Sequence, residues 1–147
     1  MTESNGSGLQ PSALRRVREV QLRQLRFRRQ TLGEDHPQTL EAMEQLAQTL
    51  SALGDHERSR QLCEQALRRQ VRLLGERAPQ TVRCAWTLMR ALLALGDRAA
   101  MRVVFGQHLA WLCEATEDEV DRELRRIQTW VAKLASELPA GSEGEAD

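Results

Sequence analysis

One phrase occurs twice in this chain, and it constrains the fold more than anything else in the sequence. Leu32-Gly33-Glu34-Asp35-His36-Pro37-Gln38-Thr39 returns as Leu74-Gly75-Glu76-Arg77-Ala78-Pro79-Gln80-Thr81, about 42 residues on. The echo runs past the phrase itself. Leu46 and Leu50 return as Leu88 and Leu92, Ala52-Leu53-Gly54-Asp55 returns as Ala94-Leu95-Gly96-Asp97, and Gln65 and Leu67 return as Gln107 and Leu109. A unit of this length cannot bury its apolar face alone. Neighbouring units must stack, and stacking leaves an extended surface suited to binding more than to catalysis.

The repeated stretch is written in helical punctuation. Pro37 and Pro79 suit the first turn of a helix, where a missing N–H costs nothing. Met43, Leu46, Ala47, Leu50 and Leu53 fall on one helical face. Gly54 fits a left-handed stop, and Asp55 caps the helix that follows. Leu62, Cys63, Ala66, Leu67 and Val71 form that second helix's apolar face, which ends near Leu73. The second copy reads the same way, with helices over Pro79–Leu95 and onward to about Cys113. Shifted by the same period, Val20 and Leu25 land on Leu62 and Leu67, so residues 12–31 read as half of a preceding unit. From Glu117 to Leu138, Val120, Leu124, Ile127, Val131, Leu134 and Leu138 recur at helical spacing and predict a capping helix.

The expected organisation is a polar tail over 1–11, a helical domain over 12–138 with units at 32–73 and 74–115, and a disordered acidic tail over 139–147. Zero net charge removes any global attraction to nucleic acid or anionic lipid. The three cysteines, Cys63, Cys84 and Cys113, are odd in number and lack C-x-x-C spacing, so they indicate neither a disulfide framework nor a zinc site. No apolar run reaches the length of a membrane span and the first ten residues lack a signal-peptide core, which leads to a cytoplasmic expectation.

Leu32-Gly33-Glu34-Asp35-His36-Pro37, Thr39-Leu40, Leu46-Ala47, Leu50, Leu53-Gly54 and Ala66-Leu67 together resemble the tetratricopeptide repeat in its longer variety, as found in kinesin light chains. The resemblance implies an all-α, short right-handed solenoid of antiparallel helix pairs, about six helices in all, closed by the C-terminal capping helix. It implies a concave face lined by the first helix of each pair, and a function in holding a peptide or protein. In the family, the contact between paired helices uses small residues. Ala47 and Ser59 supply them in the first unit, whereas Met89 and Met101 stand there in the second, and Ala66 gives way to His108. A wider or twisted second pair is therefore expected.

In that register the concave face presents Glu41, Gln45 and Gln48 from the first unit and Arg83, Trp86, Thr87 and Arg90 from the second. Arg83 and Arg90 stand two turns apart and suit a carboxylate, so an acidic partner is one expectation. Trp86 has hot-spot chemistry, while Trp111 and Trp130 read as contacts between the last pair and the capping helix. Arg15, Arg16, Arg18, Arg23 and Arg26 form a basic starting edge opposite an acidic stretch over Glu114–Glu123. Complementary edges make a homo-oligomer the second reading, and a regulator contacting nucleic acid through the basic helix the third. His36, His56 and His108 sit in separate contexts with no catalytic, metal-binding or phosphate-cradling motif around them. The sequence therefore favours a non-catalytic protein-interaction module without metal or cofactor.

Overall fold

The computed structural model describes residues 10–137, and every regular element among them is helical. In chain order they are α1 (Pro11–Leu32), α2 (Pro37–Ala52), α3 (His56–Leu74), α4 (Pro79–Leu95), α5 (Arg98–Val104), a π-helical turn (Phe105–Leu109), α6 (Ala110–Glu114), a 3-10 turn (Glu117–Glu119) and α7 (Arg122–Glu137). Each helix packs on its neighbours in sequence: α1 on α2, α2 on α3, α3 on α4, then α4 on α5 and α7. This is the all-α helical repeat that the sequence leads one to expect. Of the tails expected over 1–11 and 139–147, residues 1–9 and 139–147 lie outside the described residues, as does Leu138, and the first boundary is corrected because Pro11 already opens α1.

The repeat is legible in the backbone. Pro37 and Pro79 each take the first helical position. Gly33 and Gly75 end α1 and α3 with the same φ of 91°, and Gly54 and Gly96 turn the chain within each pair at 86° and 75°. A Cβ at any of these four glycines would meet nothing within 4 Å, so the dihedral and not crowding is what calls for glycine. Asp55 and Asp97 then cap α3 and α5, accepting from the N–H groups of Arg58 at 3.2 Å and Ala100 at 3.1 Å.

The two pairs differ where their small residues differ. In the first, Ser59 is fully buried; its Oγ donates to the Ala47 carbonyl at 2.8 Å and lies 2.8 Å from the Ser51 hydroxyl. In the second, Met89 and Met101 fill the equivalent positions and are equally buried. The second helix of this pair is interrupted by a π-helical turn that contains His108, the counterpart of Ala66. The expected irregularity of the second pair thus takes the form of a change in hydrogen-bond register within its second helix.

The capping helix also starts later than its apolar spacing suggests. Thr116 and Glu119 cap each other in a separate 3-10 turn, Val120 is extended, and the Asp121 carboxylate accepts from the Leu124 N–H at 2.9 Å to open α7. The acids over 117–119 therefore precede the helix instead of forming its first turn.

Candidate functional site

The first helices of successive pairs, α2 and α4, touch one another, and α4 touches α7 in turn. In the register expected from the resemblance these three form the inner side of the stack, and their exposed residues define the candidate surface. Glu41, Gln45 and Gln48 are exposed along α2, with the Gln45 amide donating to Glu41 at 3.4 Å. Trp86 is half-buried on α4, and Arg90 is exposed one turn on, with no acidic partner among the described residues. Thr87 is buried and turns its hydroxyl back to the Arg83 carbonyl at 3.0 Å, so it offers little to a ligand.

Arg83 is not free in the way its spacing from Arg90 suggests. Its guanidinium meets both carboxylate oxygens of Glu123 at 3.0 and 3.1 Å, and it lies 3.8 Å from Glu44. One arginine thus ties all three inner helices together. Glu44 has only 5 % of its surface exposed. Burial pushes its carboxyl up to about 7; Arg83 opposes the rise, and Glu41 and Glu123 add to it. The sequence does hint at this residue, because Leu40, Glu44 and Ala47 fall on one helical stripe and both flanking residues are core.

A groove of about 530 Å³ runs between α4 and α7. Trp86, Leu93, Trp130 and Leu134 line it, and Arg90, Lys133 and Glu137 contribute charge. Trp130 is 57 % exposed and Leu93 54 %. The Lys133 ammonium lies 5.7 Å from the Trp130 ring centre. Trp130 is thus a groove residue, correcting its reading as a helix-to-cap contact. Its position four residues N-terminal to Leu134, on the same helical face, was the available signal.

Trp111 has a different task. In the first unit Asp35 pairs with Arg69 at 3.2 Å, pinning the loop before α2 onto α3. One period later the same two positions hold Arg77 and Trp111, and the guanidinium lies 4.9 Å from the ring centre. An ion pair has become a cation–π contact at an equivalent joint. Glu76 meets His108 at 2.9 Å beside it.

The two charged edges fare unequally. Arg15, Arg16, Arg23 and Arg26 on α1 are exposed and carry no ion pair among the described residues, while Arg18 pairs with its neighbour Glu19 at 3.7 Å. Half of the acidic edge is engaged within the chain. Glu119 binds Thr116 and approaches Arg77, Asp121 caps α7, and Glu123 holds Arg83.

Residues 39–79 match the family model described as Tetratricopeptide repeat. The chain carries a tetratricopeptide repeat. The matched stretch spans most of α2, all of α3 and the joint to α4, so it contains Glu44, Ser59 and Gln70 and ends before Met89 and Met101. Tetratricopeptide repeats are in general modules of protein–protein interaction. No curated protein matches the chain. Among the described residues, no helix is long and apolar enough to cross a membrane.

Proposed function

We propose that the chain is a non-catalytic interaction module that grips a segment of a partner protein along the inner face, seating an apolar anchor between Trp86 and Trp130. The observation that carries this reading is the groove itself. Two indoles and two aliphatic side chains stand partly open to water at one place, and such a patch loses an unfavourable exposure when a partner covers it. Arg90 and Lys133 favour acidic residues beside the anchor, because neither has an ion-pair partner among the described residues. Arg83 is held by Glu123, so the carboxylate role expected of the Arg83–Arg90 pair falls to Arg90 and Lys133. Glu41, Gln45 and Gln48 extend the surface across α2. The buried free thiols Cys63 and Cys84 suit a reducing compartment, in line with a cytoplasmic location.

Self-assembly through a basic start and an acidic finish ranks second. Val20 and Phe27 stand exposed among the arginines of α1, but half of the acids at the other end, including Glu123, already have partners in the same chain.

Trp130→Ala tests the first reading. The residue is mostly exposed, so the variant should unfold at the same urea concentration as the wild type. Its affinity for a partner protein that the immobilised wild-type chain retains from a cell lysate should fall by roughly 30-fold, as for a tryptophan at an interface centre. Unchanged affinity would remove the groove from the binding surface.

A further inference from the structure

A second cavity of about 600 Å³ opens between α2, the end of α3 and the start of α4. Its floor carries an excess of acceptors. Glu44 Oε1 and Gln70 Oε1 are both buried without a donor, and Gln70 is only 2 % exposed. Glu44 Oε2 lies 3.8 Å from Arg83, beyond hydrogen-bond reach, and the Gln70 side chain gives the carboxyl its small polar support, the least of the influences on its charge. Glu41, three residues before Glu44 on the same helix, lines the cavity with no cation of its own among the described residues. Buried acceptors without donors are costly, and two of them, on residues that line one cavity, call for a group rich in N–H once a side chain enters and displaces their cover. Leu73 and Leu74, nearly half exposed at the end of α3, line another side of it with apolar surface.

Resting on the reading of the inner face as a partner-binding surface, we propose that this cavity receives an arginine side chain of the partner, its methylenes against Leu73 and Leu74 and its guanidinium on Glu41, Glu44 and Gln70. The shape suits a long side chain that is apolar along its stem and donor-rich at its head. The cations already present do not satisfy the floor. Arg83 is committed to Glu123 at 3.0 Å, and Arg69 and Arg72 to Asp35 on the rim at 3.2 and 3.1 Å. The partner segment would then be of mixed character, with an apolar anchor at the tryptophan groove and a basic side chain about one helix width away.

A proton competes with the guanidinium for Glu44. The groups that face this carboxyl are Glu41 on its own helix, Arg83 and Cys84 on α4, Glu123 on α7 and the neutral Gln70 on α3. Burial holds Glu44 at about 7, and the arginine binds its ionised form. Affinity should therefore weaken roughly tenfold between about pH 8 and about pH 6.

The test titrates the whole chain with acetyl-Gly-Arg-Gly-amide and, in parallel, acetyl-Gly-Gln-Gly-amide, following the Gln70 side-chain amide and the Glu44 carboxyl carbon by NMR. The arginine peptide should shift both signals and lower the Glu44 midpoint, and the glutamine peptide should do neither. Glu44→Gln, a neutral isostere, should abolish the effect while the amide spectrum keeps its folded dispersion. Equal responses to the two peptides, a response that persists in Glu44→Gln, or none up to the solubility limit would each overturn the proposal. The wider reading is judged separately. A partner that still depends on Trp130 but binds Glu44→Gln as tightly as wild type sinks the arginine site and leaves the interaction module standing.

Discussion

Glu44→Gln is expected to make the fold more stable at neutral to alkaline pH and to leave it unchanged in mild acid. In the native chain the Glu44 carboxyl is raised from 4.5 to about 7, so the folded state binds a proton more tightly than the unfolded chain does. Between those two values, stability falls as pH rises, because the folded state must either hold a buried charge or give up its preferred proton. Below the unfolded value both states are protonated and the group contributes nothing. Above the folded value the full penalty is present, about 3 kcal/mol for a shift of this size. Glutamine removes the charge, keeps the shape and leaves Arg83 paired with Glu123. Urea unfolding of both proteins across the pH range measures this directly. The curves should coincide in acid and separate as Glu44 ionises, with the variant the more stable. A variant less stable than wild type at alkaline pH would mean that the Arg83 ion pair outweighs the cost of burial.

The second large effect comes from exchanging the residues that distinguish the two helix pairs. Ser59→Met places in the first unit the residue that the second unit carries. Ser59 is fully enclosed between α2 and α3, with its hydroxyl donating to the Ala47 carbonyl at 2.8 Å. A methionine there must push the helices apart and loses that hydrogen bond. Overpacking and the lost bond together should cost about 3 kcal/mol. Ser59→Ala isolates the hydrogen bond and should cost about 1 kcal/mol. A Ser59→Met variant as stable as wild type would show that the first pair has no need of a close contact.

Much of the architecture could be read from the sequence because it rests on local chemistry. Pro37 and Pro79 mark helix starts, Gly54 and Gly96 mark reversals through a dihedral other residues resist, and Asp55 and Asp97 cap the helices that follow. The apolar stripes of α2 and α3 identified their buried faces for the same reason. What escaped the sequence depends on residues that meet only after the stack forms. Arg83 and Glu123 lie far apart in the chain, and nothing local to Arg83 marks it as already paired. Trp111 reads as a contact between the last pair and the capping helix, and nothing local to it announces the stacking of Arg77 from the loop before α4. The π-helical turn lies in the pair that carries the buried Met89 and Met101, whereas the local sequence Phe105–Leu109 carries an ordinary helical pattern apart from Gly106. Trp130 was placed on the correct helix but on the wrong side of it. A cap is expected to bury its aromatic residue, and this one leaves it open beside Trp86.

The inner face is the centre of the functional account, and hydroxyl-radical footprinting of the chain alone and with its retained partner tests it most directly. Trp86, Leu93 and Trp130 should lose reactivity in the complex, while Val103, on the groove between α3 and α5, keeps it. Protection of Val103 with Trp130 as reactive as in the free chain would place the partner on the opposite face and contradict the account.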